Sequence, residues 1–375
     1  MEDREGAVET LGLTGLFEGA YAGRRVLVTG HTGFKGSWLA LWLHALGAKV
    51  AGFALPADTA PSHWLGLDLG LADETLADLV DRDAITAALA RFQPELVLHL
   101  AAQPLVRRSY RDPSRTFAVN VGGLVNLFEA VRACPSVRAV LNVTTDKVYE
   151  PPCPATGYAE SHALGGHDPY SASKACAEIV SASYRRSFFQ AGTNPTGVAL
   201  ATARAGNVVG GGDWAEDRLV PDLVRAIAAD RPLALRNPGA TRPWQHVLEP
   251  LAGYLEIGRR LLAGEAVAQA WNLGPATGDV LSVHDVVQRL RRHWPDLQVQ
   301  SDAGPHPHEA PELVLDSRAA DAALGWRPVW DAGQAMDRTA AWYRDFLRHG
   351  HGDSVGDLTA YVRDARVAGL AWAGG

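Results

Sequence analysis

Residues 25–38 read RVLVTGHTGFKGSW. The apolar run RVLVT has the look of a buried strand, and Gly30, Gly33 and Gly36 follow it at three-residue spacing. After them comes GSWLALWLHALG, which reads as an amphipathic helix ending at Gly47. Glycines at such a junction have separate uses: the first permits the tight turn, the second lets a pyrophosphate approach the backbone, and the third lets the helix pack on the strand. The free N–H groups at the helix start then face the anion. The spacing is GxxGxxG rather than GxGxxG, so the reading rests on the strand–turn–helix context more than on the triplet. The expected dinucleotide cradle is Gly30, Thr32, Gly33, Phe34, Lys35 and Gly36.

Working outward, the same rhythm repeats. KVAGFAL, LVLHLAA, AVLNVTT and TGVALATARAGNVVG are apolar runs of strand type, separated by the helical patterns DAITAALARF, PSRTFAVNVGGLVNLFEAVRA and YSASKACAEIVSASYRRSFF. Short apolar strands alternating with helices predict βαβ units and a Rossmann-type, doubly wound parallel sheet. Strands buried on both faces read as continuous apolar runs, as these do. From about residue 210 the rhythm gives way to the loop-rich stretches GGGDWAEDRLVP, RNPGATRPWQHVLEP and GPHPHEAPELVLDSRAADAALGW. The expected organisation is a peripheral segment 1–22, a dinucleotide-binding domain 23–205 completed by parts of 236–275, and a smaller C-terminal α/β cap, 206–375, that binds substrate.

The 375 residues carry 35 basic and 42 acidic side chains, a net charge of −7, which offers no general basic surface to nucleic acid. Cys134, Cys153 and Cys176 form no spaced framework, which fits a reducing compartment and no structural metal. No apolar run approaches the ~20 residues of a membrane span. The start of the chain has Glu2, Asp3 and Glu5 and no basic n-region, so it does not read as a secretory signal and a cytoplasmic location is expected.

Two further clusters carry chemistry. In YSASK, Tyr170 and Lys174 stand one helical turn apart and face the same way. An ammonium beside a phenol stabilises the phenolate, so the pair can take a proton from a hydroxyl while hydride leaves for a nicotinamide. The other cluster is TTDKVYE, residues 144–150. Only four of the 35 basic residues are lysine, namely Lys35, Lys49, Lys147 and Lys174. Arginine is always protonated and cannot act as a base, so a lysine retained at 147 suits a proton-transfer role. The second strand ends in Phe53, Ala54 and Leu55 with no acid for the adenosine ribose, and Asp58 comes late. This strand therefore leaves NAD and NADP both open.

At these residues the chain resembles the extended short-chain dehydrogenase/reductase superfamily. TGHTGFKG, HLAAQPLVRRSY, NVGG, TTDKVYE, DPYSASK and RAGNVVGGGDW carry the resemblance, which covers about 24–345. Within the superfamily, AAQPLVRRSY, GGGDWAEDRLVPD, RPWQHVLEPL and HPHEA are similar to the CDP-glucose 4,6-dehydratases. That resemblance implies NAD as cofactor and a nucleotide sugar as substrate. Carbon 4 would be oxidised, water lost across carbons 5 and 6, and hydride returned to carbon 6. It implies Asp78 and Leu79 near the adenine, with Ala101, Ala102 and Gln103 also on the cofactor. Thr145 would hold the 4-hydroxyl, Asp146 would be the acid at the 6-hydroxyl and Lys147 the base, beside Tyr170 and Lys174. Neutral Lys147 with protonated Asp146 has the proton count of the ion pair, so the reverse roles stay open. Asn207, Arg218, Arg242 and His308, with Glu309, would meet the substrate's nucleotide and phosphates, whereas Asn120 would hold a helix distortion or a water. A homodimer through helices near 113–132 and 170–190 is implied too, as is supply of deoxysugars for surface polysaccharides such as lipopolysaccharide O-antigen. UDP- or dTDP-glucose dehydration and 4-epimerisation are the alternatives. One departure is PPCPATGY, residues 151–158, where the CDP-glucose branch tends to carry tryptophan.

Overall fold

The computed structural model describes residues 12–189, 197–235, 237–276, 278–301, 304 and 313–374. Its centre is a seven-stranded sheet in which every pairing is parallel. Six strands come in chain order: β1 (Arg25–Thr29), β2 (Lys49–Ala54), β3 (Asp73–Leu76), β4 (Leu96–His99), β5 (Ala139–Val143) and β6 (Ala199–Ala205). Their order across the sheet is β6-β5-β4-β1-β2-β3, and Ala270–Leu273 adds a seventh strand beside β6. This is the expected doubly wound sheet, and its last strand comes from within 236–275.

The apolar runs sit where a two-sided core requires. Along β4, Leu96 and Leu98 enter one core while Val97 enters the other. In β5, Leu141 and Val140 divide in the same way. Helices Phe34–Ala45 and Leu248–Leu262 cover the first face, and Arg82–Phe92 and Leu124–Arg132 cover the second. The edge strand β3, DETL, was not anticipated, because four mostly polar residues leave no strand pattern.

Two expectations need correction. The helix Phe34–Ala45 is not amphipathic: Trp38, Leu39, Ala40, Leu41, Trp42 and Leu43 are all buried. Its outer face is roofed by the C-terminal part of the chain. Trp42 meets Tyr361 and Trp372 edge-on, with centroids 5.8 Å away in each case, and Trp38 stacks on His63 at 4.9 Å. Segment 354–373, expected in the cap, thus packs on the dinucleotide-binding side. The described end of the supposedly peripheral 1–22 is also core. Phe17 stacks on Trp372 at 5.1 Å, and the Tyr21 hydroxyl donates to the Leu255 carbonyl at 2.5 Å. Leu13, Leu16, Phe17, Ala20 and Tyr21 do recur at helical spacing, a local signal of burial that the reading of 1–22 as peripheral passed over.

Beyond β6 the chain makes three two-stranded ladders, Val208–Val209 with Gln245–His246, Thr241–Arg242 with Leu281–Ser282, and Leu233–Leu235 with Val299–Ser301. The helices Leu219–Ala228 and Val283–Arg291 accompany them.

Candidate active site

A cleft of about 1420 Å³ lies between the sheet and these ladders. It is lined by the residues that follow β1, β4, β5 and β6, which is where a doubly wound sheet places its ligand. The glycine turn forms one wall. Gly30 has φ +77°, and a Cβ there would stand 2.8 Å from the Ala101 nitrogen. A Cβ on Gly36 would lie 2.0 Å from the Gly30 carbonyl oxygen, so both positions exclude any side chain. Around Gly33 there is room, the nearest atom to its added Cβ being 3.4 Å away. Gly33 also caps the helix with no side-chain hydrogen bond, leaving the first N–H groups for an anion. These features fit a dinucleotide.

The remaining wall residues have defined supports. Thr32 Oγ1 donates to the Leu55 carbonyl at 2.8 Å, closing the acid-free end of β2. Asp78 lines the cleft, with Arg115 paired to its Oδ2 and the Val80 N–H donating to Oδ1 at 3.0 Å. Leu79 fills the space that a side chain at Gly123 would need. Ala101, Ala102, Gln103 and Phe34 also line the cleft. Gln103 is held by Asn120, which accepts from its N–H at 2.8 Å and donates to its carbonyl at 3.1 Å and to Ser173 Oγ at 2.9 Å. Asn120 sits in a π-helical turn, Ala118–Gly123, that interrupts the long predicted helix, so it braces the wall. Asp58 stands at the rim, 3.6 Å from Arg108 and 71% exposed.

Lys35 lines the cleft together with the glycine turn. Its Nζ reaches Tyr254 Oη at 3.5 Å. Burial pushes the amine down to about 7, with Arg218 and Lys174 adding to the fall and Asp146 opposing it. The side chain thus points to the catalytic end of the cleft.

Tyr170 and Lys174 sit on the helix Pro169–Ser187, which Asp168 caps by accepting from the Ser171 N–H at 3.0 Å. Both are buried. Lys174 Nζ donates to the Val143 carbonyl at 3.0 Å, which ties it to the end of β5. Burial pushes this amine down to about 8, and Glu178 opposes the fall. The expectation that the ammonium lowers the tyrosine needs correction for this state. Burial pushes Tyr170 up to about 12, and the opposing effects come from a hydrogen bond with Thr145 and from Arg218.

Thr145 opens a 3-10 turn, Asp146–Val148. Its Oγ1 donates to Asp146 Oδ1 at 3.0 Å and accepts from the Lys147 N–H at 3.4 Å. Asp146 is buried, and among the described residues its Oδ2 has no hydrogen-bond partner. The missing side chain of Gly206 makes room for it, since a Cβ there would be 2.5 Å from Oδ2. Lys147 is half-buried and lines the same cleft. Among the described residues no ion pair joins Asp146 to Lys147. The reason is geometric: three residues per turn sends successive side chains about 120° apart.

At the far end, Asn207 lines the cleft with a buried Nδ2 that has no hydrogen-bond partner among the described residues. Arg242 also lines it, with Nη1 donating to the Thr241 carbonyl at 2.8 Å. Arg218 is held by Asp213 Oδ2 at 2.8 Å and interacts electrostatically with Tyr170, which places it toward the catalytic side. Gly211 and Gly212 pack against Trp342 and His63 and do not line the cleft. His308 and Glu309 lie outside the described residues. At the departure PPCPATGY, Tyr158 lines the cleft and stacks on Tyr149 with centroids 4.5 Å apart. Sequence reasoning missed Arg107, Arg108, Arg111 and Arg115, which line the cleft. The arginine density of VRRSYRDPSR was the available signal.

Residues 26–274 match the model of the NAD dependent epimerase/dehydratase family. The chain is 45% identical to a CDP-glucose 4,6-dehydratase of Salmonella typhimurium over 88% of this chain and 92% of that protein. It is 26% identical to a dTDP-glucose 4,6-dehydratase of Xanthomonas campestris over 84% of this chain and 92% of the relative. Among solved structures, the Thermus thermophilus UDP-glucose 4-epimerase in complex with NAD matches with a TM-score of 0.73 and 26% identity, over 85% of this chain and 99% of the other. A dTDP-glucose 4,6-dehydratase of Streptomyces venezuelae with NAD bound matches with a TM-score of 0.71 and 25% identity, over 86% and 97%.

Proposed function

This chain belongs to the NAD dependent epimerase/dehydratase family, and within it we propose the NAD-dependent dehydration of CDP-glucose to CDP-4-dehydro-6-deoxyglucose. The observation that carries the reading is the Thr145–Lys147 turn meeting Tyr170 and Lys174 in one cleft. Redox chemistry or epimerisation at carbon 4 calls only for the second pair. Losing water across carbons 5 and 6 calls for a further acid and base.

The Gly30–Gly36 turn and the Asp78–Leu79 and Ala101–Gln103 walls would hold NAD, which would supply an acceptor for the carbon 4 hydride and its donor at carbon 6. The reacting form of Tyr170 is the phenolate: once its own proton has left to solvent, Oη receives the 4-hydroxyl proton, with Thr145 holding that hydroxyl and the Lys174 ammonium nearby. The new ketone acidifies the carbon 5 proton, and Lys147 removes it. Asp146, through its unpartnered Oδ2, gives a proton to the departing 6-hydroxyl. Asn207 and Arg242 hold the diphosphate, for which a guanidinium fork is suited. Arg218 steadies the sugar on the catalytic side.

We place the enzyme in the cytoplasm as a homodimer feeding deoxysugars to surface polysaccharides. Among the described residues no helix is long and apolar enough to cross a membrane. Phe117 and Ile179 stand exposed on the two helical stretches that would pair, at 37% and 55% exposure. Incubation with CDP-, UDP- and dTDP-glucose, followed at the absorbance of the 4-keto product, tests the substrate. Product from CDP-glucose is expected. A 4-keto-6-deoxy product from UDP- or dTDP-glucose alone would overturn the substrate reading, and a 4-epimer without loss of water would overturn the reaction.

A further inference from the structure

Under the cleft lies a buried charge to which none of these steps assigns a part. Glu178 follows Lys174 by one helical turn and Tyr170 by two, and is buried. Its Oε1 accepts from Thr144 Oγ1 at 2.5 Å and from Arg204 Nε at 3.0 Å. Its Oε2 accepts from Thr202 Oγ1 at 2.7 Å and from Arg204 Nη2 at 3.0 Å. All four contacts are donations to the carboxyl group, as an ionised carboxylate requires. Arg204, on β6, spends its remaining nitrogen on Tyr149 Oη at 2.7 Å and the Glu160 carbonyl at 3.2 Å. Tyr149 in turn donates to Asn272 Oδ1 at 2.6 Å.

The residues gripped are informative. Thr144 precedes the Thr145–Lys147 turn, and Tyr149 follows it by one residue beyond Val148. Glu178 therefore holds one end of the turn and Arg204 the other. A buried ion pair is a poor way to gain stability, because desolvation commonly offsets the attraction and apolar replacement is often neutral or favourable. A fully satisfied pair clasping a turn that carries two reactive groups is better explained by positioning.

We propose that the Glu178–Arg204 pair is a positioning unit for both halves of the reaction, clamping the Thr145–Lys147 turn at its two ends and setting a fixed negative charge one helical turn from the Lys174 ammonium. This inference rests on the dehydratase reading above. Among the described residues, Asp146 acts on Lys35 and Tyr170, and the other groups facing Lys174 supply no negative charge. His99, from β4, shares a 2.6 Å hydrogen bond with Thr29 Oγ1, and burial pushes it down to about 3, so it is neutral. Lys35 is itself basic, and Tyr170 is held protonated by burial. Glu178 is the group opposing the burial of Lys174.

The test uses Arg204→Lys, Glu178→Asp and the double variant Glu178→Gln/Arg204→Met in the full chain. Lys174 is titrated by competitive acetylation and mass spectrometry, which needs no turnover. Turnover of CDP-glucose is followed separately as carbon 4 oxidation and as solvent exchange at carbon 5. In Arg204→Lys the carboxylate remains, so the Lys174 midpoint is expected to hold while carbon 5 exchange falls at least tenfold. In the double variant the midpoint is expected to drop by about one pH unit, the size of an ordinary nearby-charge effect. Glu178→Asp, which keeps the charge on a shorter arm, is expected to behave like Arg204→Lys and serves if the double variant does not fold. A merely structural pair would lower the melting temperature and leave both the midpoint and the ratio of exchange to oxidation unchanged, which overturns the proposal. If the unaltered protein turns over no CDP-glucose, the substrate reading fails while the Lys174 midpoints still judge the charge effect.

Discussion

Tyr170 and Lys174 are four residues apart and face one way; Asp146 and Lys147 are adjacent and face different ways. The first pair rides a 19-residue helix, where backbone hydrogen bonds fix every side-chain direction. The second rides a three-residue 3-10 turn, where direction depends on what grips the turn from outside. Helix and turn also differ in enclosure. Tyr170, Lys174 and Asp146 are buried, whereas Lys147 is half-buried on the cleft wall. The difference suggests a division of labour: a rigid pair that moves the hydroxyl proton, and a turn that reaches to carbons 5 and 6.

The largest effect should come from the rigid pair. Tyr170→Phe removes the one group placed to take the 4-hydroxyl proton, and kcat should fall by about 10³-fold, within the usual range for a general base. NAD binding, read by quenching of protein fluorescence, should be unchanged within about twofold, since the phenol oxygen adds at most one hydrogen bond to it. Loss of cofactor binding would mean that Tyr170 is structural.

Substitutions in the turn should cost less and leave a different trace. Asp146→Asn and Lys147→Met should each lower product formation by about 10²-fold while carbon 4 oxidation persists, visible as reduced nicotinamide at 340 nm. In Lys147→Met the carbon 5 proton should exchange with solvent far more slowly. Exchange at the normal rate would assign the base to Asp146 and reverse the roles within the turn. If carbon 4 oxidation is lost along with elimination, the two pairs are one unit and the contrast collapses.

The pH profile separates the pairs without mutation. Burial sets Lys174 at about 8, below the ordinary lysine value. Its charge is present below pH 8 and lost above it, so the rise of carbon 4 oxidation with the Tyr170 phenolate, up to about tenfold per unit, should end in a flat limb beyond pH 8. In a variant that oxidises carbon 4 but eliminates slowly, that limb should stay where it is. Movement of the limb in Asp146→Asn would show the turn acting on the helix pair.

The uneven legibility of the two regions has a physical cause. Strand, glycine turn and helix each leave a periodic or spaced trace, so β1, Gly30, Gly33, Gly36 and the Tyr170–Lys174 spacing could be read directly. The 3-10 turn leaves none, and only the scarcity of lysine drew attention to position 147. The geometry of that turn parts the Asp146 and Lys147 side chains. Lys35 was read with the phosphate turn because it lies in that motif, yet its side chain crosses to Tyr254 on a helix over two hundred residues later. Glu178 and Arg204 looked like ordinary helix and strand residues, since their meeting depends on β6 lying beside β5. The partners of Lys35, Glu178 and Arg204 escaped because those contacts are long-range, as is the stacking of Phe17 on Trp372.

Thr145 is the place where the two regions touch, and it gives the subtlest test. Its hydroxyl donates to Asp146 Oδ1 at 3.0 Å, accepts from the Lys147 N–H and hydrogen-bonds with Tyr170. Thr145→Val keeps the shape and removes all three contacts. A neutral hydrogen bond contributes about 1 kcal/mol, and the bond across the turn is long, so kcat should fall by about three- to tenfold. Both half-reactions should suffer, because each pair loses a contact. Thr145→Ser restores the hydroxyl and should recover to within about twofold, given that it costs only a methyl group. A Val variant slow in elimination alone would show that Thr145 serves the turn and that the helix pair stands by itself. One slow in carbon 4 oxidation alone would place its hydroxyl wholly with Tyr170 and the 4-hydroxyl, leaving the turn to the grip of Thr144 and Tyr149.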